Sequence, residues 1–219
     1  MTDLTFERWC ERLSEQLSRP LPGADAQMRM APRPRQLDVR PADDGRSRPA
    51  AVLALIHPGS AGELPEPTLI LTRRTEIVAT HKGQVCLPGG AVEADEPALE
   101  AALREVEEEI GVPRSCVRVL GKLTPLHVAA SGYEIQPFVG VANPRPPFQL
   151  LEHEVAEILE PSLAHLLDPG NLREEVRTFR GRQVHVPFIR LGSMELWGAT
   201  AMVVSELLSI VRRMEQRTI

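Results

Sequence analysis

Residues 90–112 read GAVEADEPALEAALREVEEEIGV. Within this stretch Leu99, Leu103, Val106 and Ile110 recur at i, i+4, i+7 and i+11, the signature of one apolar helical stripe. Glu105, Glu108 and Glu109 stand at i, i+3 and i+4, so their carboxylates share a patch turned away from that stripe. Gly111 follows, where a helix usually ends on a left-handed residue. Three carboxylates on one patch repel each other unless a cation sits among them. Hard divalent cations prefer carboxylate oxygens, and Mg²⁺ is typically completed by waters and phosphates. Arg104 lies beside the patch and can steady Glu108 through an i, i+4 pair.

An acidic run by itself is most simply a solvated helix face. The spacing argues otherwise. Gly90, Glu96, Arg104, Glu105, Glu108, Glu109 and Gly111 fit the pattern G-x5-E-x7-R-E-U-x-E-E-x-G-U, where U is aliphatic. Seven fixed residues, each at roughly 7% usage, agree by chance about once in 10⁸ placements. The stretch resembles the Nudix box, the signature of the Nudix hydrolases. That resemblance implies an α/β fold, the Nudix α/β/α sandwich with a mixed β-sheet. It also implies Mg²⁺- or Mn²⁺-dependent cleavage of a diphosphate joined to another group.

Composition narrows the remaining classes. The chain has 219 residues, 42% of them hydrophobic, enough for one domain with appendages. A net charge of −5 lacks the basic footprint of a nucleic-acid binder. Cys10, Cys86 and Cys116 have no metal-ligand spacing and no even count, so a reducing, cytoplasmic setting is expected. No apolar run reaches the length of a membrane span. Asp3, Glu7 and Glu11 make the N-terminus unlike a secretory signal.

Three parts are expected along the chain. Residues 1–18 hold an amphipathic N-terminal helix with Phe6, Trp9, Cys10, Leu13 and Leu17 on one face. Residues 19–49, with six prolines and many arginines, read as a linker. Residues 50–219 form the hydrolase domain. Within it, 50–57 and 68–73 read as buried strands, and Cys116–Leu120 and Val155–Leu159 as further strands. Pro161–Leu167 reads as a short helix with Pro161 in its first turn, and Thr178–Phe188 as a hairpin. Glu195–Arg213 reads as a long amphipathic C-terminal helix. A homodimer through the N- or C-terminal helix is compatible with these faces.

A second resemblance concerns the substrate. Leu71, Thr72, Gly83, Pro88, Gly89 and Gly90 match a motif that precedes the box in coenzyme A pyrophosphatases, and 197–201 (WGATA) matches that subfamily's tail. Thr75, Ala79 and Leu87 depart from it, and Ala79 stands where that subfamily has an arginine. Coenzyme A or an acyl-CoA is therefore the expected nucleotide substrate. ADP-ribose, dinucleotide polyphosphates or oxidised nucleotides are the alternative, and a non-catalytic binding module is a third reading. Metal is expected at Glu105, Glu108, Glu109 and the backbone at Gly90. Arg73, Arg74, His81 and Lys82 are cationic candidates for the phosphates, with Gly89 and Gly90 allowing close backbone approach. Arg104 is expected to orient the glutamates. Glu108 or Glu154 is the candidate proton acceptor.

Overall fold

Arg48–Pro58 forms β1, the longest strand of the main sheet. Its side chains alternate between two separate cores. Ala51, Leu53 and Leu55 join one cluster, while Ala54 and Ile56 join the other, with Val52 packed against it. A strand buried on both faces needs this near-continuous apolar run. The computed structural model describes residues 6–34, 47–59, 66–75, 83–129, 131–179 and 181–216.

Around β1 the main sheet has six strands. Parallel to β1 runs β8 (Tyr133–Val141), paired from Arg48↔Tyr133 to Ile56↔Val141. On the other edge β1 is flanked by β2 (Pro67–Leu69) at one end and β5 (Gly89–Ala91) at the other, both antiparallel. β6 (Arg118–Lys122) and β7 (Leu126–Val128) pair antiparallel with β8. A small sheet orders β4 (Val85–Cys86), β3 (Leu71–Arg74) and β9 (Val155–Leu159). Another orders β10 (Leu172–Phe179), β11 (Arg182–Leu191) and β12 (Met194–Trp197).

Helices cover both faces. α3 (Ala98–Ile110) lays Ala102, Val106 and Ile110 on the Ala51, Leu53 and Leu55 face. It ends at Gly111, whose φ of 69° is the left-handed cap expected there. On the opposite face lie α1 (Phe6–Leu17) and α5 (Gly198–Gln216), so the layers are α/β/α. α1 buries Phe6, Cys10, Leu13 and Leu17 as expected, and Trp9 stacks on Phe6. α4 (Leu163–Leu167) is a single short helix.

Four boundaries differ from the sequence reading. The 68–73 run serves two sheets, with Ile70 donating to the Leu55 carbonyl between β2 and β3. Cys116 belongs to a 3-10 turn, Arg114–Cys116, and β6 starts at Arg118. Pro161 precedes α4, which is capped by the Ser162 hydroxyl accepting from the His165 N–H. Residues 195–197 are strand, because they pair with β11; Gly198, at φ 66°, turns the chain into α5.

Inside the stretch read as a linker, Gly23–Gln27 forms α2, followed by a 3-10 turn, Met28–Met30. What fixes it is a buried carboxylate. Glu206 of α5, fully buried, accepts from the Gly23 N–H (3.1 Å), the Gln27 side-chain amide (2.9 Å), the Thr124 hydroxyl (2.7 Å) and the Thr124 N–H (3.2 Å). Proline content signals a break in regular structure but not a distant partner for the residues between the breaks. Cys10, Cys86 and Cys116 are all free.

Candidate active site

β5 and α3 meet where β1 begins. The loop from Ala91 to Pro97 returns the chain so that α3 runs beside Gly89 and Gly90. On a helix at 100° per residue, Glu109 lies about 60° from Val106, Glu105 about 100° and Glu108 about 160°. Exposure follows that order. The Glu109 side chain is 3% exposed, Glu105 17% and Glu108 54%. The three carboxylates therefore grade from core to solvent; they are not a uniform patch facing away from the stripe.

Each carboxylate has a distinct set of partners. Glu109 accepts from the Gly89 N–H (3.3 Å) and from Arg74 Nη1 (3.3 Å). Burial pushes its pKa up to about 8, against the pull of Arg74, with Glu105 adding repulsion. Burial also raises Glu105, which Arg104 partly offsets. Arg104 binds Glu96 through two bonds, 2.9 Å to Oε1 and 3.1 Å to Oε2. Its Nη1 reaches Glu105 (2.9 Å) and Glu108 (3.2 Å), and its Nη2 reaches the Ala91 carbonyl (3.3 Å). That pairing, first with Glu96, raises the guanidinium's pKa further and lowers that of Glu96. Arg104 thus bonds to three carboxylates at once.

Strand phase separates the two arginines of β3. Arg74 points into the site, 3.3 Å from Glu109 and 3.6 Å from Glu154. Arg73, the other cationic candidate on this strand, pairs instead with Glu157 (2.5 Å) and is not among the residues lining the cavity. His81 and Lys82 lie outside the described residues. Pairing of β3 with β9 sets Arg74 opposite Val155, which delivers Glu154 to the site. Of Glu152, Glu154 and Glu157, Glu154 alone lines the cavity.

That cavity has a volume of about 840 Å³. One end carries Arg74, Glu105, Glu108, Glu109 and Glu154 beside Gly89 and Gly90. The remainder is mostly apolar, with Leu126, Val128, Val184, Trp197, Met202 and Val203 among its walls. Sequence reasoning missed this apolar wall. Its residues come from β7, β11, β12 and α5, and their local patterns report only burial. Tyr133 also lines the cavity.

Comparison with known proteins agrees with this arrangement. The NUDIX domain family matches residues 47–180. The chain belongs to the Nudix hydrolases, a family of pyrophosphohydrolases. It is 39% identical over 144 residues to the Escherichia coli K12 Nudix hydrolase NudL, covering 65% of this chain and 74% of the relative. The Photorhabdus laumondii NudL is 34% identical over 182 residues, 83% of this chain and 91% of the relative. A MutT/nudix family protein from Enterococcus faecalis superposes with a TM-score of 0.51 at 14% identity. The match covers 78% of this chain and 64% of that one, a likeness of fold.

Nudix hydrolases generally use divalent metal ions, and the residues present fit such an ion. The donors are all oxygens, the set hard cations prefer. Gly90 makes room for them: a Cβ there would lie 2.5 Å from the Glu105 carboxylate. Among the described residues, no three of His, Cys, Asp and Glu stand close enough together to enclose an ion. Glu105 and Glu108 pair with Arg104, and Glu109 and Glu154 with Arg74. Among the described residues the buried Nε of Arg74 has no hydrogen-bond partner, which suits a donor to an anionic oxygen.

Gly90→Ala tests the fit. The obstructing neighbour is the end of a flexible side chain, so the Nudix fold should survive with a small shift in melting temperature. Displacing Glu105 should lower kcat by about 10²-fold, since misplacement of about 1 Å costs that much. Steady-state kinetics beside a thermal melt checks both.

Proposed function

We propose that the chain hydrolyses the diphosphate of coenzyme A or an acyl-CoA, giving adenosine 3′,5′-bisphosphate and 4′-phosphopantetheine. The observation that carries this reading is the polarity of the cavity. Carboxylates and Arg74 line the cavity of about 840 Å³ together with a mostly apolar wall, a pairing that suits a diphosphate joined to a larger, less polar group. Trp197, Gly198, Ala199 and Thr200, from the tail motif resembling that subfamily, stand in that wall.

Glu105, Glu108, Glu109 and the Gly90 backbone would hold Mg²⁺ or Mn²⁺. When bound, such an ion neutralises the diphosphate and supplies Lewis acidity. Arg74 offers a phosphate oxygen its Nε, which has no partner among the described residues. Arg104 fixes the Glu105 and Glu108 carboxylates through Glu96 and the Ala91 carbonyl. Glu154, part-exposed at the cavity, accepts the proton of the attacking water. Glu108 is the other candidate for that role. Gly89 keeps its N–H on Glu109, which holds that carboxylate toward β5.

ADP-ribose or a related nucleotide is the competing substrate, favoured by Ala79 in place of the subfamily's arginine. Incubation with a panel of coenzyme A, acetyl-CoA, ADP-ribose and dinucleotide polyphosphates, with Mg²⁺ or Mn²⁺, separates the two by mass spectrometry. The expected product pair is the bisphosphate and phosphopantetheine. Intact coenzyme A alongside cleaved ADP-ribose overturns the assignment. Binding without any product favours the non-catalytic reading. Among the described residues no helix is long and apolar enough to cross a membrane, and a cytoplasmic enzyme is the reading that the free cysteines support.

A further inference from the structure

β10 is an edge strand. It pairs with β11 on one side, and among the described residues no strand pairs with its other side. Eight residues long, it leaves a row of backbone donors and acceptors open, a template for another strand. Charged side chains commonly blunt such an edge, and this one has Arg173, Glu174, Glu175 and Arg177. Among them it also carries Leu172, Val176 and Phe179, 48%, 53% and 37% exposed, which are all the exposed large apolar residues among those described.

We propose that the edge of β10 is a homodimer interface, in which two copies pair antiparallel about a two-fold axis at Val176. A strand that pairs with its own copy across an axis perpendicular to the sheet must set residues of the same face opposite each other. That rule limits the axis to a residue position and allows each to be judged by its cross-strand pairs. At Glu174, Glu175 or Arg177 the axial residue would meet its own like charge, which is destabilising. At Val176 it meets Val176. The same axis sets Glu175 opposite Arg177 twice, Arg173 opposite Phe179 twice, and Glu174 opposite Thr178 twice.

Opposite charges and a cation over an aromatic ring are the favourable cross-strand pairs. Within its own chain Arg177 lies over Phe188 (5.5 Å) and Trp197 (5.2 Å) and pairs with Glu195 and Glu175, so association exchanges the Glu175 contact within one copy for the same contact across the axis. The result is one continuous sheet running β12, β11, β10 and then the same strands of the second copy in reverse. Neither terminal helix takes part, which differs from the interface expected from the amphipathic faces. Phe179 is also a cavity wall residue stacked on Trp197, so the second copy braces one wall of the active site.

A single added strand pair is a small interface, so dissociation on the order of micromolar is expected. Sedimentation velocity at tens of micromolar protein should give twice the 24.2 kDa chain mass. Val176→Lys, which sets two ammonium groups on the axis, should weaken association at least about tenfold with an unchanged circular dichroism spectrum. Glu175→Arg should weaken it as well. In a Cys116→Ser background, Val176→Cys should form a disulfide-linked dimer on mild oxidation, because residues on the axis face each other at bridging distance. The Cys116→Ser parent should not. A wild-type chain that stays monomeric at these concentrations, or a dimer indifferent to Val176→Lys with no cross-link, overturns the proposal. These readouts need no substrate, so they stand apart from the assignment of the reaction.

Discussion

Glu109→Gln is expected to lower kcat by about 10³-fold or more at saturating Mg²⁺, because it removes the charge of a proposed metal ligand, the most buried of the three box carboxylates. The same substitution should stabilise the fold near pH 8. In the folded chain burial raises the Glu109 pKa to about 8, against 4.5 as the ordinary value. A raised folded pKa gives stability that is complete below the unfolded value and is lost as pH rises toward the folded one. Between these limits each pH unit should cost the wild type up to about 1.4 kcal/mol. Summed over the window, the loss is on the order of 3 kcal/mol once relaxation is allowed for. Glu109→Gln cannot ionise and should show a flat profile over the same range. Urea denaturation from pH 5 to pH 8 reads this directly. Millimolar Mg²⁺ should recover part of the wild type's loss at pH 8 and none in the variant. Equal kcat in the two proteins, or parallel pH profiles, contradicts the role given to this residue.

Much of this site could be read before any fold was known, and particular residues show why. The α3 stripe and its Gly111 terminus follow from helical period and backbone sterics, which are local. The box spacing also indicated that Arg104 would serve carboxylates, and it binds Glu96, Glu105 and Glu108. The grading of exposure from Glu109 to Glu108 was available from the helical wheel but became a fact only once Gly89 and Arg74 covered one side. Arg73 and Arg74 could not be separated in advance, because strand phase depends on which face of β3 meets the site. The apolar half of the cavity was invisible for a different reason. Trp197 and Met202 reach it through a strand and a left-handed glycine that the amphipathic pattern of 195–213 had merged into one helix.

Glu206 exposes the same limit, and it carries the largest stability prediction. Read within its helix, it is one acid on a mostly apolar segment; in the fold it gathers donors from Gly23, Gln27 and Thr124, which are far apart in sequence. Glu206→Ala would remove the shared acceptor of the part-buried Gly23 N–H, Thr124 N–H and Thr124 hydroxyl and of one N–H of the buried Gln27 amide, whose other N–H keeps the Thr124 carbonyl. Each such orphan costs about 1–3 kcal/mol, and partial relaxation and entering water lower the sum, so a loss of about 3–5 kcal/mol is expected. Against a total stability of roughly 5–15 kcal/mol for an ordinary domain, that brings the chain near its threshold. Glu206→Gln keeps one acceptor oxygen but turns an NH₂ toward donors, so it should recover only part of the loss. Denaturant titration of the three proteins measures the series. α5 also supplies cavity residues from Gly198 to Val203, just ahead of Glu206. Loosening its anchor should therefore raise KM for the substrate in the Gln variant before the chain unfolds. A loss below about 1 kcal/mol in Glu206→Ala would mean that solvent already reaches these donors, and that α2 is held to α5 by apolar contact alone.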